Sequence, residues 1–227
     1  YAPEGQDLFL HLARIDQYNS RTDQPTHWQH EIYVGPDYLE KLKKTPEGKN
    51  VVILAGNNRI KSDYINTALE SGMHVLADKP LIIRPEDFPK LESAFSLAKE
   101  KDLLLYDIMT ERFEITSVLQ RILAQMPDVF GELEKGTLDN PAVIKESVHH
   151  FYKQVSGKPL VRPAWFFDVR QQGSGLVDVT THLVDLVQWT CFPDQILNYK
   201  TDVKMLNAAS GATPITRHQF QQVTGLS

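Results

Sequence analysis

The sequence has little cysteine, no excess of basic charge and no long apolar run, and each absence excludes a class of protein. A single cysteine, Cys191, excludes an internal disulfide framework and a zinc site built from several thiolates. The chain carries 24 Lys and Arg against 29 Asp and Glu, a net charge of −5. This balance argues against nucleic acid and against an acidic membrane surface as partners. Because no run of about 18 apolar residues occurs, we expect no membrane-spanning segment.

Two motifs that identify common enzyme classes are also missing. There is no G-x-S-x-G, which carries the nucleophile of many hydrolases, and no G-x-G-x-x-G, whose backbone N–H groups hold a dinucleotide pyrophosphate. The sequence begins at Tyr1 without the pattern of a signal peptide. We expect it to be a piece of a longer protein. The location is therefore open between the cytoplasm and, if a signal peptide lies upstream, the periplasm.

The composition that remains is that of a globular protein, with 227 residues of which 41% are hydrophobic and 23% charged. The first half alternates short apolar runs with amphipathic segments. Strands are predicted at 31–34, 51–55, 74–77 and 103–106, and helices at 38–44, 60–71 and 88–101. This order predicts a parallel sheet with right-handed crossovers. The unbroken apolar run at 51–55 predicts a strand that is covered on both faces.

The pattern changes after Arg112-Phe113. A helix is predicted at 115–124, strands at 129–135 and 144–155, and a helix at 176–189. We therefore predict an α/β fold in two domains. Residues 1–113 form a Rossmann-type parallel sheet that lacks its N-terminal part, and residues 114–227 form an α/β domain with an open, mainly antiparallel sheet. The second domain is also expected to be incomplete at its C-terminal end.

Two of three candidate sites follow predicted strands, where parallel sheets bind ligands. Asn57 and Asn58 come after the strand at 51–55 and are candidates for cofactor binding; the alternative is a turn with a helix cap. Asp78 and Lys79 come after the strand at 74–77, directly before Pro80. A lysine ammonium at this edge would stabilise an alkoxide. The alternative is a surface lysine at a strand end.

The third candidate site lies on the predicted helix at 176–189. At about 100° per residue, Asp178, His182 and Asp185 share one face. An imidazole between two carboxylates is a plausible acid/base unit near neutral pH. The alternative is a solvated face with a modest Asp178–His182 pair. Since His149 and His150 are adjacent in a predicted strand, they point to opposite faces, and we predict no metal site.

Taken together, these motifs resemble those of the Gfo/Idh/MocA family, the glucose-fructose oxidoreductase and inositol dehydrogenase group. The tripeptide at 78–80 is similar to the family's Glu-Lys-Pro, and the stretch at 173–185 to its glycine-rich entry into Asp-x-x-x-His-x-x-Asp. Arg112-Phe113 resembles the Arg-Phe that closes the family's nucleotide-binding domain, and Trp165 also fits. The likeness extends over about 31–189. It departs from the family in lacking the glycine-rich loop and in having Asp78 for Glu.

The resemblance implies an oxidoreductase that uses NAD or NADP and acts on a sugar, cyclitol or related polyol. Lys79 would contact both the substrate hydroxyl and the nicotinamide, His182 would be the acid/base, and Asp178 would bind the substrate and orient the histidine. We expect these three side chains to converge on one pocket. Without its glycine-rich loop, the chain as given is expected to bind dinucleotide poorly.

Further roles come with the same resemblance. Asp185 and Trp165 are expected to bind the substrate, Asp78 to help place the lysine or the nicotinamide, and the C-terminal sheet to form a homo-oligomer. Two alternatives stay open. One is a family member that uses tightly held NAD for glycosidic cleavage or epimerisation. The other is a non-catalytic member that binds a sugar or nucleotide as a sensor or structural subunit.

Overall fold

A computed structural model describes residues 6–45, 48, 50–155 and 157–226 as a series of helices around a small parallel sheet. The helices and strands in chain order are α1 (Gln6–Asn19), α2 (Tyr38–Lys43), β1 (Val51–Leu54), α3 (Lys61–Glu70), β2 (His74–Ala77), α4 (Phe88–Glu100), β3 (Leu105–Asp107), α5 (Ile115–Ala124), α6 (Pro127–Phe130), β4 (Gln154–Val155), β5 (Lys158–Pro159), α7 (Gly175–Asp178), α8 (Thr180–Cys191) and α9 (Arg217–Thr224). Short 3-10 turns lie at Pro85–Asp87, Thr110–Phe113 and Ala164–Phe167. No described helix is both long and apolar enough to cross a bilayer.

The sheet has the order β1-β2-β3 with both pairs parallel. Its centre is aligned so that Val75 pairs with Val52 on one side and with Leu105 on the other. The α/β class and the βαβαβ order predicted from the sequence are therefore confirmed. Helix α3 ends where Gly72 adopts a φ of +76°, a conformation that a residue with a side chain rarely takes.

The core lies between the sheet and helices α3 and α4. Its buried members come from these three layers: Ile65, Ala68, Leu69, Met73, Val75, Ala77, Ala94 and Ala98. The alanines on α4 let this helix approach α3 closely, since an alanine methyl adds little width. Burial of a side chain such as Leu69 contributes about 1.5–3 kcal/mol.

The opposite face of the sheet is open, and the prediction that the strand at 51–55 is covered on both faces is wrong. Val51 and Ile53 are 54% and 66% exposed, whereas Val52 and Leu54 pack against the core. Two right-handed crossovers that proceed in the same direction place both helices on the same face of the sheet. Strand β1 is therefore apolar at every position although only one of its faces is buried.

Several elements predicted for the rest of the chain differ in the structure. Residues 31–34 are not a strand, and the start of 129–135 is the end of helix α6, whose first residue is Pro127. Of the strand predicted at 144–155, only β4 forms, and it pairs antiparallel with β5. A strand is stable only when a neighbour satisfies its backbone groups, and the described segments 31–34 and 131–153 have no such ladder.

The helix predicted at 176–189 is present, but it is divided. Helix α7 ends at Asp178, and α8 begins at Thr180, with Val179 at φ −107° between them. Helix α8 packs against α5 and against the 3-10 turn Thr110–Phe113, which follows β3. This packing places the polar residues of α7 and α8 at the carboxyl edge of the parallel sheet.

Candidate active site

Lys79 lies at the carboxyl edge of the sheet, two residues after β2 ends. Its backbone N–H donates to Asp78 Oδ1 at 2.9 Å, and the Asp78 carbonyl accepts from Lys61 Nζ at 2.8 Å. Lys61 is the first residue of α3 and is only 1% exposed. Two hydrogen bonds therefore hold the turn that carries Lys79: one to the carboxylate of Asp78 and one from the buried ammonium of Lys61.

The ammonium of Lys79 is bound to Asp178. Lys79 Nζ donates to Asp178 Oδ1 at 2.7 Å and to the Asp178 carbonyl at 2.6 Å. The two side chains are 18% and 10% exposed, so the pair is largely shielded from solvent. A charge-assisted hydrogen bond in such a place is stronger than one on the surface. Lys79 is therefore not a free surface lysine, and Asp178 is not part of a solvated helix face.

The segment before α7 is held close to the sheet by a glycine and two asparagines. Gly173 has φ +97°, and a Cβ atom there would lie 2.5 Å from Val177 Cγ2 and 2.9 Å from Ile83 Cγ2. Asn58 Nδ2 donates to the Gln172 carbonyl at 2.8 Å, and Asn58 is buried. Only glycine fits a backbone of this conformation that approaches another element so closely.

Asn57 is also engaged in this contact. Its Nδ2 donates to Gln171 Oε1 at 2.8 Å, and its Oδ1 accepts from the Arg59 N–H at 2.9 Å. Of the turn and cap weighed as an alternative for this stretch, the turn is present, but no side chain caps the helix that follows it. The side chains of Asn57 and Asn58 connect the sheet edge to residues 171–172, and their assignment to cofactor binding stays a prediction.

His182 faces a carboxylate that the sequence pattern did not single out. Its Nδ1 lies 2.9 Å from Glu111 Oε2, in the 3-10 turn that follows β3. Both atoms are buried, and neither has a hydrogen-bond partner of good geometry among the described residues. The distance is that of a hydrogen bond, but the angles are not. The imidazole of His182 thus points one of its nitrogens at Glu111, while Asp178 is bound by Lys79.

Asp185 is paired with Arg112 instead of standing free for a substrate. Arg112 Nε donates to Asp185 Oδ2 at 2.7 Å, and Arg112 Nη2 makes a second, short contact with Asp185 Oδ1. The hydrogen bond to Asp185 is the main cause that raises the pKa of Arg112 above its usual value. A cavity of about 370 Å³ adjoins this pair, with Trp189 on its wall. The substrate-binding role of Asp185 stays a prediction.

Trp165 is partly buried in the 3-10 turn Ala164–Phe167. Its neighbours Phe166 and Phe167 belong to an aromatic cluster with Phe151. Arg162 lies over the Phe166 ring, with 4.2 Å from its Cζ to the ring centroid. The contact of Trp165 with substrate stays a prediction.

A basic pair lies near Asp178. Arg162 Nη2 is 3.3 Å from His149 Nε2, and burial lowers the pKa of both side chains. The charge of Asp178 acts on both groups in the direction that favours their protonated forms. Of the adjacent histidines, His149 is therefore the one that lies close to the candidate site. The described residues contain no group of three or more His, Cys, Asp or Glu side chains arranged for a metal.

The carboxyl end of β1 has room for part of a nucleotide. A cavity of about 560 Å³ runs along β1 and is lined by Gly56, Asn57, Lys61 and Tyr64, among others. A Cβ atom on Gly56 would meet nothing within 4 Å. Amide, hydroxyl and ammonium groups at this edge suit the polar groups of a ribose or a carboxamide. Asn57 and Lys61 already donate to Gln171 and to the Asp78 carbonyl, so a nucleotide at this edge stays a prediction.

Three residues of this region were missed by the reading of the sequence: Lys61, Glu111 and Arg162. A signal existed for two of them. Lys61 opens the helix after β1, and Glu111 lies in the turn after β3, so both follow strands of the parallel sheet. The carboxyl edge of such a sheet is where side chains from successive strands meet. Arg162 lies in a segment without regular structure, where no periodicity indicates its direction.

Residues 119–227 match the family described as "Putative oxidoreductase C terminal domain". A structure described as a putative oxidoreductase from Parabacteroides merdae is 53% identical, with a TM-score of 0.90 over 100% of this chain and 51% of that one. The chain thus spans about half the length of that relative. The WlbA (WbpB) dehydrogenase from Thermus thermophilus, in complex with NAD and alpha-ketoglutarate, is 22% identical, with a TM-score of 0.43 over 67% of this chain and 43% of that one.

A levoglucosan dehydrogenase in complex with NADH and L-sorbose is similar to the chain to the same degree. It is 21% identical, with a TM-score of 0.43 over 66% of this chain and 36% of that one. Among proteins of curated function, none matches the chain.

Proposed function

We propose that the protein transfers a hydride between NAD or NADP and a sugar, cyclitol or related polyol, as the likeness of its motifs to those of the Gfo/Idh/MocA oxidoreductases implies. The match of residues 119–227 to an oxidoreductase C-terminal domain and the 53% identity to a putative oxidoreductase support this proposal. The observation that carries the proposal is the shielded Lys79–Asp178 ion pair at the carboxyl edge of the sheet, with His182 in the helix that follows. The ammonium of a surface lysine is hydrated by solvent, whereas that of Lys79 is held by two hydrogen bonds to one aspartate.

Lys79 is assigned to the substrate oxygen. An ammonium has three N–H donors, and in the described part of the chain two of them go to Asp178. The third donor is available to a hydroxyl group. As that hydroxyl loses its proton, the ammonium stabilises the negative charge that develops on oxygen. Asp178 fixes the direction of the amine, because its carboxylate and its carbonyl both accept from Lys79 Nζ.

His182 is assigned to the proton of the same hydroxyl. A bound nicotinamide nucleotide supplies the hydride acceptor, and the residues around Gly56 and Asn57 would hold one end of it. An imidazole is suited to accept a proton at neutral pH, and a positioned general base contributes about 10²–10⁴-fold to the rate. Its Nδ1 faces Glu111, so Nε2 is the nitrogen that remains for the substrate.

The test begins with the full-length protein and a panel of hexoses, pentoses and cyclitols, in which NADH or NADPH formation is followed by absorbance. With the best substrate, we expect His182→Gln to lower kcat by at least about 100-fold and to leave the KM for the nucleotide nearly unchanged. His218→Gln, an exposed histidine on α9, is the matched control and should behave like the wild type.

A His182→Gln protein with wild-type kcat and kcat/KM would remove the histidine from the mechanism and leave Lys79 as the proton carrier. Cleavage or epimerisation of a glycoside without net NADH formation would instead indicate an enzyme that uses tightly held NAD for glycosidic cleavage or epimerisation.

A further inference from the structure

Among the described residues of this region, Glu111 and His182 form the one close contact between ionisable groups whose two facing atoms have no other partner. Glu111 Oε2 and His182 Nδ1 are 2.9 Å apart, both are buried, and no other described group hydrogen-bonds to either atom. A buried carboxylate oxygen without a donor is unfavourable, so an unpaired oxygen that faces a ring nitrogen requires an explanation.

We propose that Glu111 is the positioning residue of His182: its carboxylate holds the proton of the neutral imidazole on Nδ1 and thereby presents Nε2 as the base. This inference rests on the proposed function of His182. A carboxylate only accepts hydrogen bonds, so the nitrogen that faces it must carry the proton. The hydrogen bond made by one ring nitrogen sets the protonation of the other.

Both side chains can turn about their terminal bonds. The terminal torsions of histidine and glutamate, which turn the ring and the carboxylate, have broad energy wells. Rotation about either bond changes the angle between the N–H of Nδ1 and Oε2. Catalytic hydrogen bonds are often poorly aligned before the substrate binds and become better aligned in the complex.

The other carboxylates near His182 are already engaged. Asp178 binds the Lys79 ammonium, and Asp185 binds the Arg112 guanidinium through both oxygens. Each of these acids is thus neutralised by a cation of its own. In the described chain, the Glu111 carboxylate has no lysine or arginine within ion-pair distance, and its charge is free to stabilise an imidazolium.

The register between the 3-10 turn and α8 is set by the neighbouring pair. Glu111 and Arg112 are adjacent in the turn, and they reach His182 and Asp185, which lie one helical turn apart on α8. The two-point contact of Arg112 with Asp185 fixes the direction of the turn, because a bidentate pair specifies orientation as well as distance. Glu111 is therefore held against His182 by the neighbouring Arg112–Asp185 pair.

Glu111→Met is the decisive substitution, since it removes the carboxylate and keeps a side chain of similar length. In the full-length protein with ¹⁵N-labelled histidine, long-range nitrogen–proton spectra report which ring nitrogen of His182 carries the proton, and the signal that disappears in His182→Gln identifies it. We expect the Nδ1–H tautomer in the wild type. In Glu111→Met we expect a shift to Nε2–H, the tautomer that free histidine prefers.

The kinetic expectation is a loss of about 10–100-fold in kcat for Glu111→Met, with the KM for the polyol and the nucleotide changed little, as measured with the polyol that gives the fastest NADH formation. Glu111→Gln keeps an oxygen that accepts from Nδ1 but has no charge, so its loss in kcat should be smaller. Glu114→Met, an exposed glutamate three residues later, is the control and should match the wild type in both measurements.

The outcomes separate this inference from the proposed function. An unchanged tautomer in Glu111→Met, or wild-type kcat in both Glu111 variants while His182→Gln is inactive, would overturn the role of Glu111 and leave the function standing. Wild-type kcat in His182→Gln would overturn the function. The tautomer is measured without substrate, so it gives an answer even if no sugar of the panel is turned over.

Discussion

Lys61 gives the sharpest test of the energetics at this sheet edge. Its side chain is 1% exposed, and its ammonium donates one hydrogen bond, to the Asp78 carbonyl. Burial lowers the pKa of Lys61 from 10.5 to about 8, and the nearby charge of Lys79 acts in the same direction. The charges of Asp78 and Asp178 oppose this shift without cancelling it.

The consequence is a dependence of stability on pH with a definite sign. Between about pH 8 and 10.5, an unfolded lysine is still protonated, whereas Lys61 in the folded protein has lost its proton. The unfolded state then binds more protons, so the free energy of unfolding rises with pH through this window. A pKa lowered from 10.5 to about 8 corresponds to about 3 kcal/mol. Below pH 8 the whole cost of burying the charge is present.

Lys61→Met removes the ammonium and retains the aliphatic stem. We expect the variant to be at least as stable as the wild type at pH 7, because relief of the buried charge offsets a lost hydrogen bond to Asp78, worth about 1 kcal/mol. The advantage should decrease by about 3 kcal/mol between pH 7 and 10.5. Urea unfolding followed by circular dichroism at several pH values measures the difference, in which other titrating groups cancel.

Lys90→Met is the matched control. Lys90 is exposed, and its hydrogen bond with Asp63 raises the pKa of its ammonium above 10.5. A raised pKa gives stability that is present below 10.5 and lost above it, so this variant should show no gain over the wild type at pH 7. A difference between Lys61→Met and the wild type that stays constant from pH 7 to 10.5 would refute the reasoning, since Lys61 would then titrate as an exposed lysine does.

Two further substitutions test the contacts that position the site. Gly173→Ala should lower the free energy of unfolding by about 2–4 kcal/mol, because its φ is +97° and the added methyl would lie 2.5 Å from Val177 Cγ2. Gly175→Ala, where a Cβ meets nothing within 4 Å, should be close to neutral, and equal effects of the two would contradict the packing. Asp185→Asn should cost about 1–3 kcal/mol in urea unfolding, since Arg112 is left with a weaker partner. Asp194→Asn, whose side chain is 94% exposed, is its control and should cost under about 0.5 kcal/mol.

The parallel sheet and its helices could be predicted because their signals are local. The apolar periodicity of α3 and α4 and the short run at β2 are properties of ten or so neighbouring residues. Strands at 31–34 and 129–135 could not be judged in this way. A strand requires a partner that is elsewhere in the chain, and an apolar or aromatic run does not say whether that partner exists. The same limit explains why the open face of β1 was not predicted.

Some features of the candidate site also follow from local sequence, and others depend on residues far apart in the chain. Glycine before a helix, and Lys79 after a strand, could be read from local pattern, whereas the choice of partners could not. Spacing along the chain made Asp178 and Asp185 the nearest carboxylates for His182. The carboxylate that contacts the imidazole is determined by the positions of two cations, Lys79 after β2 and Arg112 in the turn after β3, because each of them binds one of the two aspartates. The Arg112–Asp185 pair joins residues 73 positions apart, a distance over which no local rule operates.

The order of charges across this contact explains why it has one register. Along α7 and α8 the chain presents an acid, an imidazole and an acid; the sheet side presents Lys79, Glu111 and Arg112 to them in turn. If α8 moved by one helical turn, Asp185 would come opposite Glu111, and the two carboxylates would repel each other. The Lys79–Asp178 and Arg112–Asp185 pairs hold the two ends of this contact, and repulsion between Asp185 and Glu111 opposes a shift of the helix. Together they fix His182 opposite Glu111. Of the three residues on the helical side, His182 is also the one whose side chain can donate a hydrogen bond from one ring nitrogen and accept a proton at the other.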